Sequence, residues 1–549
     1  MAAVGSASTF SRVAILTLVL LAINVLAVFV PNHRVRIGAV SAPAATVYKP
    51  ILLLNGSVVL YLLFARRRIL GCPARSSAVS TLRRLSGLQF GAILAGAAAA
   101  VYLPALGVNF EHHDWTHRHI SASLTSAAAL GRLFIAPQPD GMYRPLTFLS
   151  LCIDYRIFDG QLWGYHLQSI ALHVLNAALV SVLAARLGIK RSAARLAGLL
   201  FGVGAVHFEA VLWPAARFDV LATTFTCLSV VFFIEFWRAP RVRPGYAALS
   251  LLTFVTAALS KETSYSAIPI LAALLATHRV WKLEPDGKAK SLALLGALSV
   301  SAGILLGVRF LLYGGIGGYL DRYGHSLHAA VSAKSFYLLI VNTLALSVFS
   351  VNASASPSAW MYVIVIGFVS SVVTLAAFCS SRGDRRKWAF VLLALLSAAP
   401  ALNVMGWIQP SLLHTRHLYW PSVWTTLLFV SCVERRCPSV VMLLYLVVQA
   451  AALTYNVSAQ RDVLRTADSL AQRIGRDVAS VEAARPTVRL VGVPESLDGA
   501  FYFASELETK IRRSAPGVTV RFVPDGSDLT GAAGDLTYRW DRGSRRLVR

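Results

Sequence analysis

Apolar runs of about 17–25 residues recur along most of this chain, and that is the length a bilayer core demands of a helix. A backbone in lipid must satisfy its own hydrogen bonds, which leaves only helices and closed barrels. Strands of a barrel are about half as long, so these runs read as helices. Of 549 residues, 56% are hydrophobic and 14% charged, and the mean hydropathy is +0.61. Soluble domains carry about a quarter charged residues. Length and flanks give about thirteen spans, near 13–31, 46–64, 87–107, 166–187, 193–212, 218–237, 244–260, 263–281, 291–313, 359–380, 388–408, 417–434 and 438–456. The expected fold is an all-α polytopic membrane protein. The run Val13–Val30 has little basic flank, and Pro31-Asn32-His33 lacks an A-x-A cleavage pattern. It reads as a retained helix rather than a signal peptide.

The net charge is +26. The cations fall in short loops between apolar runs, which is a topology signal and not a nucleic-acid surface. Arg66-Arg67-Arg68, Arg75, Arg83 and Arg84 lie between the second and third spans. Arg186, Lys190, Arg191 and Arg195 follow the fourth; Arg238, Arg241 and Arg243 the sixth; Lys282, Lys288 and Lys290 the eighth. Arg382, Arg385, Arg386 and Lys387 follow the tenth, and Arg435-Arg436 the twelfth. All share one side if the N-terminus is cytoplasmic. Counting the apolar stretch Ser335–Val351 as a span would reverse the last two groups, so it reads as re-entrant or interfacial.

Three parts follow. Residues 1–86 form a two-helix hairpin and a basic cytoplasmic loop. Residues 87–456 form the membrane body, with a large first outer loop at 108–165. Residues 457–549 form a small extracytoplasmic α/β domain. It opens on an amphipathic helix with Val463, Ala467, Leu470, Ile474, Val478 and Val481 at helical spacing. A strand at Thr487–Val493, a helix at Asp498–Ser514 and strands at Val518–Val523 and Leu536–Trp540 complete it. The six cysteines are scattered without a CxxC pair, against a zinc site or disulfide framework.

An ionisable residue at membrane depth is a functional candidate by default. Here such residues gather at the outer ends of spans. Glu111-His112-His113-Asp114 follows the run Gly87–Leu106. Asp114 is a candidate base for an acceptor hydroxyl, and Glu111 a weaker second. His112, His113, His117 and His119 with Asp114 can also be read as ligands of a divalent metal ion, or simply as polar surface. Arg144 and Asp154 lie in loop stretches that re-enter the membrane surface. His166, Ser169, His173 and Asn176 share one helix face, suited either to line a cavity or to bond neighbouring helices. The turn from His207 and Glu209 to Arg217 and Asp219 carries Trp213-Pro214 at its apex. Arg217 there suits a phosphate or an ion pair with Asp219 or Glu209. Lys261-Glu262 makes another outer turn, and Arg416 opens the twelfth span ahead of Tyr419.

Four of these stretches, in order, resemble one family. Tyr143-Arg144-Pro145-Leu146-Thr147, Asp154-Tyr155, Gly164-Tyr165-His166-Leu167 and Leu172-His173-Val174-Leu175-Asn176-Ala177 resemble the first loop and following helix of GT-C glycosyltransferases. The nearest branch is the protein O-mannosyltransferases, including the TPR-containing transmembrane mannosyltransferases and their bacterial relatives. His207 through Asp219 resembles its second motif, Ser260-Lys261-Glu262-Thr263 its third, and Arg416 through Ser422 its fourth. Gly492-Val493-Pro494 and Gly499-Ala500-Phe501 resemble the end of bacterial members. The chain departs from the pattern in three ways. The usual acidic pair of the first loop reads His113-Asp114, Ser169 replaces the usual Asn, and no TPR repeats follow the membrane part.

The resemblance implies a GT-C-like fold and an inverting transfer of sugar from a polyprenyl-phosphate donor at the outer membrane face. Asp114 and Glu111 would be catalytic, and Arg217, Lys261 and Arg416 would hold the donor phosphate. His113, Arg144, Asp154, His166, His173, Glu209, Asp219, Glu262 and Tyr419 would support them. The expected partners are the lipid-linked donor, an acceptor protein or glycolipid, and membrane lipids. Such chemistry explains the absence of a G-x-G-x-x-G or P-loop pattern. No cofactor is assigned, and a divalent metal ion stays open. Abundant Arg, Ala and Leu with few Lys suggest a bacterial inner membrane. A transporter or lipid flippase is the competing reading.

Overall fold

The computed structural model describes residues 34–37, 40–43, 82, 84–108, 112–138, 142–283, 287–314, 332–347, 350, 352, 385–408, 411–433, 439–481, 486–494, 497, 500, 503–525, 535–541 and 546–548. The spans expected at 13–31, 46–64 and 359–380 lie outside the described residues, as does Glu111. Strands β1 (Arg34–Ile37) and β2 (Val40–Pro43) pair antiparallel ahead of the bundle.

The bundle begins with α1 (Gly87–Tyr102), started by a capping box between Ser86 and Gln89. The first loop carries three short helices, α2 (His112–Ser123), α3 (Ala127–Ile135) and α4 (Pro145–Ile157). Then follow α5 (Leu162–Arg186), α6 (Arg191–Gly202), α7 (Phe208–Leu212), α8 (Arg217–Arg238), α9 (Pro244–Ala258) and α10 (Ala267–Ala276). After these come α11 (Lys288–Tyr313), α12 (Ala333–Val341), α13 (Arg386–Ala398), α14 (Tyr419–Val433) and α15 (Ser439–Ala479).

Among the described residues, five helical stretches are long and apolar enough to cross a bilayer: 87–107, 162–186, 214–238, 288–313 and 386–407. A sixth forms if α6 and residues 205–212, bent by 44°, count as one broken span. The expected spans at 244–260 and 263–281 appear as shorter apolar helices. Small residues let the helices approach closely. A Cβ on Gly198 would sit 2.7 Å from the Ala177 carbonyl oxygen, so only glycine fits where α6 crosses α5.

The helix ends fall into two groups that match the charge pattern. At one end Arg186 pairs with Glu235, Arg238 donates to the Arg186 carbonyl at 2.6 Å, and Lys290 donates to the Ala239 carbonyl. At the other end lie the pairs of Arg144 with Glu262 and Arg416 with Glu209. The stretch from 335 is not a span. Nine residues of α12 are about 14 Å long, against a core of about 30 Å. A π turn at Asn342–Leu346 follows, and Asn342 donates to the Met405 carbonyl at 2.9 Å.

The boundary expected at 456/457 does not exist as a break. The stretch expected as the last span and the amphipathic helix are one continuous helix, α15, of 41 residues. Its periodicity changes from all-round apolar to one-sided without a turn signal, so nothing in the sequence interrupts the helix. Val463, Ala467, Leu470 and Ile474 on its far half enter the core of the terminal domain. There α16 (Phe503–Ser514) and a four-stranded sheet complete the layers. The sheet order is β4 (Thr519–Val523), β3 (Thr487–Val491), β5 (Leu536–Asp541), β6 (Arg546–Val548). Both neighbours of β3 run parallel to it, in register Thr487 to Thr519 and Val488 to Leu536, and β6 returns antiparallel. Tyr538 donates to Asp477 at 2.6 Å and Lys510 to Asp468 at 2.5 Å, tying sheet and α16 to α15. Helix α16 touches α2, so the terminal domain stands beside the first loop.

In a cysteine-free background, cysteines introduced at the exposed positions Arg241 and Ser480 should react with a membrane-impermeant maleimide from opposite sides of sealed vesicles. Labelling of both from the same side would overturn this two-sided arrangement.

Candidate active site at the outer helix ends

The charged residues flagged along the sequence meet here, and they meet as ion pairs between motifs. Arg217 pairs with Asp154 of the first loop, both side chains about fully buried at 0% and 1% exposure. Lys261 pairs with Asp219. Arg416 pairs with Glu209, whose other oxygen accepts the Arg416 backbone amide at 2.9 Å. Arg144 chelates Glu262 through Nε at 3.1 Å and Nη2 at 2.5 Å. Neither sequence-adjacent option, Arg217 with Asp219 or Lys261 with Glu262, is used. Adjacent residues on a helix start point to different neighbours, and each finds a partner on another element.

Arg217 differs from the expectation that it grips a phosphate. Besides Asp154 it donates to Gln168 at 2.9 Å, Ser150 at 3.3 Å, Ser169 at 3.4 Å and the Tyr165 carbonyl at 2.8 Å. Its fork is spent on locking α4 and α5 to the start of α8. Burial pushes the Asp154 carboxyl up to about 6, against the downward pull of Arg217.

Asp114 lies on α2 and is 3% exposed. Its Oδ1 accepts the Ala215 amide at 2.7 Å, in the Pro214–Ala216 turn between α7 and α8. The first-loop carboxylate is therefore held against the second motif. Aromatic faces separate the cations. Phe218 lies 4.2 Å from Arg144 and 4.8 Å from Lys261, and Trp213 lies 4.9 Å from Arg416. The first loop is also pinned to the third motif. Thr147 donates to the Ser260 carbonyl at 3.1 Å, and the Leu146 amide to the Leu259 carbonyl at 3.3 Å.

The polar face of α5 bonds neighbouring helices. His166, Ser169, His173 and Asn176 are all buried. His166 Nε2 meets the Val108 carbonyl at 3.0 Å. His173 Nε2 meets the Gly202 carbonyl at 3.1 Å, so that nitrogen carries the proton and Nδ1 accepts the Tyr419 hydroxyl at 2.7 Å. Asn176 then donates to the same Tyr419 oxygen at 3.1 Å. His207 Nε2 donates to Ser422 at 2.7 Å, since the Ser422 hydroxyl is given to the Tyr419 carbonyl at 2.6 Å.

The side chains of His112, His113 and His119 lie outside the described residues. Among the described residues, no three His, Cys, Asp or Glu side chains gather as a metal site. One participant was not singled out in the sequence: Arg309, buried at 1% exposure and 3.6 Å from Glu262. Its signal was an arginine in the last turn of an expected span.

Sequence comparison agrees with the motif resemblance. The chain is similar to protein O-mannosyl-transferases: 30% identical over 189 residues to Tmtc2 of Drosophila melanogaster, covering 32% of this chain and 20% of that protein. It is 31% identical over 237 residues to human TMTC4, covering 39% of this chain and 30% of that one. The chain therefore spans less than a third of the length of either relative. No protein-family model matches it. Solved structures similar to it include the Archaeoglobus fulgidus oligosaccharyltransferase in the apo form, at 10% identity and a TM-score of 0.44, covering 80% of this chain and 64% of that one. Another is ArnT from Cupriavidus metallidurans bound to undecaprenyl phosphate, at 14% identity and a TM-score of 0.36, covering 80% and 87%.

Breaking the Arg217–Asp154 pair from one side strands a buried charge, which costs about 3–5 kcal/mol. D154N should lower thermal stability in detergent by that order, and D154N/R217Q should recover part of it. An unchanged melting temperature in D154N would refute the clamp.

Proposed function

We propose that this chain is a membrane glycosyltransferase that moves a sugar from a polyprenyl-phosphate donor to an acceptor hydroxyl at the outer membrane face. The observation that carries the reading is Asp114, a carboxylate brought by the first loop against the second motif, beside four ion-paired cations from four segments. In this reading Asp114 takes the acceptor's hydroxyl proton. The acceptor oxygen bonds to the anomeric carbon, the bond from that carbon to the phosphate oxygen breaks, and configuration inverts. The electron pair leaves on the phosphate. Glu111 supports the base, and Lys261 and Arg416 raise the positive potential that the departing phosphate meets.

The relatives' name denotes mannose transfer to oxygen, which is the matching bond. The membrane would be the inner membrane of a bacterium, with the N-terminus cytoplasmic and the terminal domain outside. Donor energy then sits in a lipid phosphate, because nucleotide sugars do not reach that side. The acceptor is a protein or a glycolipid hydroxyl. A divalent ion held near Asp114 by the first-loop histidines would add a Lewis acid; dialysis against a chelator followed by Mg²⁺ or Mn²⁺ restoration reads that contribution.

D114N keeps an oxygen for the Ala215 amide and removes the base. Transfer from a radiolabelled polyprenyl-phosphate sugar in proteoliposomes should fall by about 10²–10⁴-fold with the protein still folded. Wild-type transfer by D114N would discard the base assignment. Movement of intact donor across the liposome without sugar release would favour a flippase instead.

A further inference from the structure

Among the described residues, helix α11 is the least buried of the spanning candidates, with 22% of its apolar window buried. Its buried residues are Ser291, Leu294, Leu298, Ala302 and Arg309, a single stripe facing the bundle. The stripe ends on a guanidinium. Next to it Phe310 and Leu311 point outward, 59% and 85% exposed.

Arg309 is thinly matched for a buried cation, with the Tyr265 hydroxyl and one shared carboxylate as its side-chain partners. Its Nη2 lies 3.6 Å from Glu262 Oε2 and 3.4 Å from the Tyr143 carbonyl. Its Nε has no hydrogen-bond partner. Glu262 is also the carboxylate that Arg144 already chelates with two bonds. Arg217, Lys261 and Arg416 each have a carboxylate of their own. Among the described residues, then, two guanidiniums of this cluster share one carboxylate. A buried N–H and a surplus cation call for an anion.

We infer that Arg309, facing Arg144 across Glu262, is the seat of the donor's phosphate, with the lipid lying along the outer surface of α11. The inference rests on the glycosyltransferase reading and assigns its phosphate to a different residue from those the motifs indicate. A guanidinium matches a phosphate through two parallel hydrogen bonds. A donor phosphodiester carries one negative charge, and the polyprenyl phosphate left after transfer carries up to two. The surplus cation therefore favours the leaving group over the bound donor, which is the direction catalysis needs. The apolar outer face beside Arg309 lets a polyprenyl chain stay in lipid while its headgroup reaches the site.

The test uses the full-length protein in nanodiscs, with polyprenyl phosphate, the corresponding polyprenol and inorganic phosphate as probes, read by native mass spectrometry and thermal shift. Wild type should prefer polyprenyl phosphate to polyprenol. R309Q should weaken polyprenyl phosphate binding about tenfold or more, the loss of one charge-assisted contact. E262Q, which enlarges the surplus, should bind it more tightly, and R309Q/E262Q should regain part of what R309Q loses. R309Q that binds as wild type does, or E262Q that binds no more tightly, overturns the assignment and leaves the enzyme reading standing. Inorganic phosphate binding as well as the lipid phosphate overturns the lipid route. A wild type that binds no polyprenyl phosphate sinks the enzyme reading and this inference together.

Discussion

A charge beneath a lipid leaflet must bring its counter-charge with it, and here every counter-charge comes from another part of the chain. Asp154 meets Arg217, Asp219 meets Lys261, Glu209 meets Arg416, and Glu262 meets Arg144. At an effective dielectric of about 20, a close pair attracts by about 4 kcal/mol, while each lone buried ion costs several. The pairs therefore work as latches. None of the four motifs can leave the cluster without stranding a charge in another. The result is a set of polar groups held in fixed positions on helix ends, which is the preorganisation that charge-stabilising sites require.

Beside the latches lies a neutral layer of hydrogen bonds between helices. The stretch Arg416, Tyr419, Ser422 has a spacing of three, so all three side chains face the same neighbours. Arg416 takes Glu209, Tyr419 takes His173 and Asn176, and Ser422 takes His207. That single stripe explains why the pattern R-x-x-Y-x-x-S stands far from the others in sequence yet joins them in space. It also explains the histidines. Each has one nitrogen committed to a partner that fixes its proton, so in this layer imidazole serves as a directional hydrogen-bonding group between helices.

Depth was legible in the sequence, and pairing was not. A carboxylate or guanidinium between apolar runs announces its own level in the bilayer, and loop cations announce the side. The cluster of Asp114, Arg144, Glu209, Lys261 and Arg416 could be gathered on those grounds. Partner choice depends on which helix faces come together, and nothing local encodes that. Adjacent Lys261 and Glu262 invite a pairing that the turn geometry forbids, and Arg217 looked available until Asp154 and Gln168 closed around it. The unbroken α15 was missed for a related reason. A helix crossing from lipid to water changes its hydrophobic pattern without any break in its backbone. Short-range signals served better in the terminal domain, where alternating strands and an amphipathic helix were expected close to where they occur.

The distribution of charge also separates two approaches to the site. The side that α11 closes is apolar on its outer surface and ends on Arg309, which shares the Glu262 carboxylate with Arg144, so it suits a substrate whose body stays in lipid. Another border is formed by α2, which carries Asp114 and is touched by α16 of the terminal domain. That domain is mixed in charge and continues from α15. A hydroxyl acceptor arriving from water would pass beside it and meet the carboxylate first. In the proposed reaction, donor and acceptor would then reach the same anomeric carbon from lipid and from water. An in-line displacement would then require the base to act on one face of that carbon and the phosphate to leave from the other.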